Sequence, residues 1–214
     1  MNAPPRRRLY LVTPLLGDPA VFLRDIDAAL TAGDIAAILL RLEKSDERTL
    51  VTRAKAVGAI VQRRDIALLL DGYPELAARA GADGAHLTGI EALTAALGML
   101  KPDRIAGAGG LRSRHDAMLA GEAGADYVMF GEPDRRGGRP PFEAIDERLH
   151  WWSELFEAPC VGYAASLDEV APLAQAGADF VALGDWLWTQ AKEPAAVIAE
   201  ATGCLAVPAS RPVS

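Results

Sequence analysis

Apolar residues fall along this chain in short runs separated by longer amphipathic segments. Three runs share one prelude: AGADGAHLTGI (80–90), AGADYVMFGEP (123–133) and AGADFVALGDW (176–186). Each follows a helix-like stretch, PELAARAG, HDAMLAGEAG or LDEVAPLAQAG. The Gly of each stands where a helix would end, because Gly takes the left-handed C′ conformation without a Cβ penalty. The apolar residues after Asp83, Asp126 and Asp179 then read as short strands buried on both faces. Five further strands are predicted: RLYLVTP (8–14), IAAILLRLEK (35–44), IALLLDG (66–72), RIAGAGG (104–110) and PCVGYAAS (159–166).

Strand starts near 8, 35, 66, 84, 104, 127, 160 and 180 recur with helix-like segments between them. Eight such units predict an α/β fold, a (β/α)8 TIM barrel in a single domain. Its expected limits are an N-terminal arm over 1–7, the barrel over 8–206 and a flexible tail over 207–214. An open doubly wound sheet is the alternative, but no GxGxxG turn or P-loop supports it.

Composition narrows the function classes. Half of the 214 residues are apolar, enough for a substantial core, and the net charge of −7 argues against a general nucleic-acid binder. Cys160 and Cys204 lie in apolar surroundings without metal-ligand spacing and read as reduced core thiols. The start MNAPPRRR is followed by no apolar signal-peptide region, and no run reaches the roughly 18–20 apolar residues a membrane helix needs. A cytoplasmic protein with no membrane contact is expected. Trp151-Trp152 and the Trp186/Trp188 pair suggest either internal packing or the surface of a homodimer.

In a barrel of this kind the active site gathers at the carboxyl ends of the strands. The residues there are Arg41, Glu43, Lys44, Asp71, His86, Glu91, Arg112, Arg114, Glu132, Ser166 and Asp185. The loop EPDRRGGRPP (132–141) adds Arg135, Arg136 and Arg139. Cations and carboxylates converging on one rim suit a small phosphorylated ligand, with a divalent metal bridging carboxylate and phosphate oxygens. With Gly137, Gly138 and no apolar anchor before Pro140, the loop reads as a mobile lid.

YLVTP, the Arg of ILLRLEK, the Asp of LLLDG, GADGAHL, GADYVMFG and GADFVAL follow one another as in a known family. Across nearly its whole length the chain resembles the thiamine phosphate synthases and the related thiazole tautomerases. The resemblance implies a transferase joining a pyrimidine methyl diphosphate to a thiazole phosphate, with Mg2+ assisting release of pyrophosphate. It would place Arg41 on diphosphate and Asp71 with Glu91 on Mg2+, while Arg112, Arg135, Arg136, Arg139, Ser166 and Gly184 are candidates for substrate phosphates from their place at the rim.

Several positions depart from the family pattern. Leu39 and Glu43 stand where it has Gln and Lys, Leu70 where it has Asn, and Ala108 where it has Ser. The Thr- and Lys-bearing sixth loop is replaced by the arginine loop. Ala164-Ala165 replaces a pair of glycines whose amides cradle phosphate. The tautomerase chemistry uses a His in that sixth loop, which has none; His86, His115 and His150 read as structural. The expectation is therefore a synthase-like barrel that binds phosphorylated thiazole or pyrimidine diphosphate with weak or lost synthase activity. Two alternatives remain at this point. One is a non-catalytic phosphate-ligand-binding or regulatory barrel; the other is a different phosphate-substrate barrel enzyme using Asp71 with Asp185 as acid and base.

Overall fold

The computed structural model describes residues 6–134 and 136–205, and over them the chain closes eight parallel strands into a barrel in sequence order. The strands are β1 (Arg8–Val12), β2 (Ile35–Leu40), β3 (Ala67–Asp71), β4 (Gly84–Thr88), β5 (Ile105–Gly109), β6 (Tyr127–Phe130), β7 (Cys160–Ala164) and β8 (Phe180–Leu183). The ring closes where Leu9 and Tyr10 register with Val181 and Ala182. Helices follow each strand: α1 (Pro19–Thr31), α2 (Glu47–Val61), α3 (Pro74–Ala80), α4 (Ile90–Leu100), α5 (Arg114–Ala123), α6 (Phe142–Leu155), α7 (Val170–Gln175) and α8 (Pro194–Leu205). The expected tail, 207–214, and all but the last two residues of the expected arm lie outside the described residues.

The first two strands stop sooner than alternation predicts. The Thr13 amide still donates to Leu39 O (3.0 Å), but Pro14 has no N–H to continue the ladder. Arg41 N donates instead to Thr13 Oγ1 (3.0 Å), and one isolated bridge between Leu16 and Leu42 follows. Arg41, Leu42 and Glu43 thus rise above the barrel in a loop rather than a strand.

The repeated AGAD has a mechanical role. Gly81, Gly124 and Gly177 take φ of 68°, 99° and 101°, which an L side chain would resist. The aspartates then turn back to the preceding strand. Asp83 Oδ2 accepts from Leu68 N (2.7 Å), Asp126 Oδ2 from Ala106 N (2.7 Å), and Asp179 Oδ2 from Cys160 N (2.8 Å). Asp34 stands at the corresponding place before β2 and takes the Arg8 guanidinium (2.8 Å). A carboxylate therefore anchors the amino end of the barrel before each even-numbered strand, opposite the mouth.

Two apolar layers follow from the period of two along the strands. Leu9, Leu11, Ile38, Leu40, Leu68 and Leu70 face outward to the helices. Tyr10, Val12, Leu39, Leu69, Tyr127, Met129, Val161 and Tyr163 fill the interior. Of the four tryptophans only Trp152 is buried, and the others lie half-buried against the core. Trp152 is fully buried, stacks on Phe156 (4.1 Å) and donates through Nε1 to Ala158 O (2.6 Å). Trp188 donates to Val12 O and meets Phe22 edge-on (2.8 and 4.8 Å).

Candidate active site at the barrel mouth

Arg41 stands just past β2, on the interior parity set by Ala37 and Leu39. Its Nη1 donates to Asp185 Oδ2 (3.0 Å), and its Nε lies 3.8 Å from Asp71 Oδ2. Asp71 ends β3, and Asp185 opens a single 3-10 turn after β8. One guanidinium thus joins two carboxylates from opposite flanks of β1 and β2. That answers the expectation of an acid–base couple in Asp71 and Asp185: the two meet through a cation that lies between them.

A second arginine is also engaged. Arg139 Nη1 holds both oxygens of Glu169 (2.8 and 2.9 Å), Nη2 donates to Tyr163 O (2.9 Å), and Nε donates to Gly131 O (3.0 Å). This charge-assisted contact, in which one nitrogen is shared by both carboxylate oxygens and both partners are largely buried, ties the sixth loop to the ends of β6 and β7. Glu169 Oε2 accepts in addition from the Ala165 amide (2.8 Å). A carboxylate of the chain itself occupies the backbone donor at the end of β7.

The third constellation lies on the barrel axis. His86 of β4 is 3% exposed, and its Nδ1 is 2.9 Å from the Tyr127 hydroxyl; that hydroxyl is 2.9 Å from Tyr10 Oη. Strand β5 makes room for this. A Cβ at Gly107 would run into the Tyr127 ring, and one at Gly109 would collide with both His86 Nε2 and Glu132 Oε1. Glu132 reaches this place because Gly131, with φ of 95°, turns the chain back over β5, where the Gly110 amide donates to Glu132 Oε1. Burial holds His86 neutral, lowering it to about 4. Burial raises Glu132 to about 7, and the Asp71 charge adds to the rise while the Gly110 hydrogen bond opposes it. Burial likewise raises both tyrosines.

Comparison with known proteins places the chain. The family model described as thiamine monophosphate synthase matches residues 9–185. The chain belongs to the thiamine monophosphate synthase family. Among its relatives, the thiamine-phosphate synthase of Rhodospirillum centenum is 41% identical over 196 residues, covering 90% of this chain and 95% of that one. The thiamine-phosphate synthase of Hyphomonas neptunium is 38% identical over 204 residues, covering 91% of each. Among solved structures, a thiamine phosphate pyrophosphorylase from Pyrococcus furiosus superposes with a TM-score of 0.76 at 21% identity, covering 94% of this chain and 96% of that one. The 3-hexulose-6-phosphate synthase of Salmonella typhimurium gives 0.72 at 19%, covering 92% and 98%, a likeness of fold.

The positions singled out for a thiamine monophosphate synthase are dispersed around the mouth. Arg41, Asp71 and Asp185 meet as described. Gly184 gives room to the Tyr163 hydroxyl and Trp186. Ser166 begins the 3-10 turn that carries Glu169. Arg112 is exposed, its amide bonded to Asp116 Oδ2 (3.0 Å). Arg114 reaches away to Glu147 (2.7 Å) and over the Trp151 ring (5.0 Å). Arg135 lies outside the described residues, and Arg136 is exposed.

Within the sixth loop Asp134 holds one turn together. Asp134 Oδ1 accepts from the amides of Arg136 and Gly138 (2.8 and 2.9 Å), and Asp134 N donates to Gly138 O (2.7 Å). The aspartate organises the turn, a use of Asx side chains that needs no apolar anchor.

A Mg2+ ion needs oxygen donors that converge. Asp71 faces the Arg41 guanidinium, and Glu91 is exposed on the first turn of α4. Among the described residues no three His, Cys, Asp or Glu side chains are grouped to hold a metal. As placed, these residues do not make a Mg2+ site. Glu43, exposed above β2, rests its carboxylate near Gly17, so the position where the family carries Lys presents a negative charge beside the first loop. What sequence reasoning missed is that Glu132 and His86 both fill the space beside Gly109. The signal was the glycine pair at 107 and 109, spaced by two and therefore on one face of β5.

Proposed function

We propose that this barrel binds a phosphorylated thiazole or pyrimidine ligand of thiamine biosynthesis at its carboxyl-end mouth and forms thiamine phosphate weakly or not at all. One observation carries the reading: Arg41 and Arg139 are already engaged by Asp185, Asp71 and Glu169. The synthase reaction breaks the C–O bond of the pyrimidine methyl diphosphate, leaves a carbocation for the thiazole nitrogen to capture, and sends off pyrophosphate. Its rate depends on fixed positive charge where that anion forms. Here carboxylates already balance the charge of each guanidinium, so less of it is left for a diphosphate oxygen. Glu169 on the Ala165 amide competes for the backbone donor as well. Thiamine phosphate formation should be assayed with both substrates and Mg2+. The expected outcome is turnover at least 100-fold below about 1 s⁻¹, within the usual range of enzymes. Turnover near that rate would refute the reading and show that ligand binding releases both arginines.

A further inference from the structure

Glu132 sits at the mouth with its two oxygens in unlike surroundings. Oε1 accepts from the Gly110 amide and shares with His86 Nε2 the space left by the missing side chain of Gly109. Among the described residues Oε2 takes part in no hydrogen bond. Behind Oε1 the Tyr10 hydroxyl, the Tyr127 hydroxyl and His86 Nδ1 form one continuous hydrogen-bonded chain, with 2.9 Å at each link. A neutral imidazole has one donor and one acceptor nitrogen, so Nε2 takes the role that Nδ1 leaves. The three residues behind Glu132 are all buried.

The titratable groups around this carboxyl come from several strands: Tyr10 of β1, Asp71 of β3, His86 of β4 and Tyr127 of β6. Arg41 is turned to Asp71 and Asp185, and no described cation forms an ion pair with Glu132. A dianion entering the mouth would therefore meet an ionised, half-buried Glu132 as a second negative charge. Like charges at such distances favour protonation of one of them.

We propose that Glu132 meets a phosphorylated ligand as the neutral acid, taking up one proton from solvent at Oε2 and donating it in a hydrogen bond to a phosphate oxygen, with His86 as its positioning residue. The contact supplies at the centre of the mouth the polarity that the engaged arginines withhold. The step moves one solvent proton and breaks no bond to carbon or phosphorus. It rests on the reading of a phosphorylated ligand at the mouth and adds the residue and protonation state that recognise it. His115 and His150 belong to α5 and α6, outside the barrel ring.

Sulfate is the probe, because its charge is constant across the neutral range. Calorimetric titration of the full chain at pH 6 and pH 8, in buffers of different ionisation enthalpy, reads affinity and proton uptake together. Wild type should bind sulfate about tenfold more weakly at pH 8, as expected for an acid form with a midpoint near 7. It should also take up most of one proton per sulfate at pH 8. Glu132→Gln keeps a hydrogen-bond donor and should bind with little pH dependence and no proton uptake. His86→Gln should bind sulfate with its pH midpoint displaced. Equal wild-type affinity at both pH values, or proton uptake that persists in Glu132→Gln, overturns the proposal. The wild-type proton count decides even if a variant folds poorly. Failure of sulfate to bind at either pH counts instead against a phosphorylated ligand at this mouth.

Discussion

At the scale of the residue, His86 and Glu132 are both shifted by burial, in opposite directions along the pH axis. His86 is lowered from 6.5 to about 4, so between those values the unfolded chain binds more protons than the folded one. Its contribution to stability is lost as pH falls below about 6.5. Glu132 is raised from 4.5 to about 7, so in that window the folded chain binds more protons, and its contribution is lost as pH rises. The two offset each other between about pH 4.5 and 6.5. Glu132→Gln should therefore gain stability as pH rises through this window, by on the order of 1–2 kcal/mol after allowance for partial solvent access. His86→Gln should lose stability over the same window and onward to about pH 7. Urea unfolding at closely spaced pH values checks both, and parallel profiles for all three proteins would show that neither group is desolvated.

At the scale of the element, the aspartates at the amino end show how a strand is held where no ladder bond reaches it. Asp126 receives the Ala106 amide at the start of β5 and pairs with Lys101. Asp126→Ala should leave that partly buried amide without its acceptor, at a cost of about 1–3 kcal/mol. Asp126→Asn keeps a side-chain oxygen and gives up mainly an exposed ion pair, so it should cost under about 1 kcal/mol. Chemical denaturation of the two variants separates the hydrogen bond from the charge, and equal losses would show that the Lys101 pair carries the effect. The distance from the mouth leads to a second expectation, that sulfate binding is unchanged in both.

At the scale of the molecule, a net charge of −7 and a mouth whose arginines are engaged set the terms for an anionic ligand. Asp185→Asn should release Arg41 from its nearer partner and raise pyrophosphate affinity on the order of tenfold at low salt, less at high salt as screening grows. Calorimetry at two ionic strengths reads this directly. An unchanged affinity would place the bound anion away from Arg41 and shift attention to the Glu132 side of the mouth.

The fold was legible in the sequence because its signals are local. A glycine that ends a helix, an aspartate and a buried run recur at the same spacing, and each of these depends on residues within a few positions of one another. The interior parity of Leu39 and Arg41 was legible for the same reason. Which partner each charged group would meet was not. Arg41 with Asp185 spans 144 positions, Arg139 with Glu169 spans 30, and Tyr10 with Tyr127 spans 117. The sequence by itself determined that cations and carboxylates would gather at one end of a barrel. Only closure of the ring decided that they would engage one another and that Gly109 of β5 would leave His86 and Glu132 one shared space, because such meetings depend on which strands become neighbours and not on spacing along the chain.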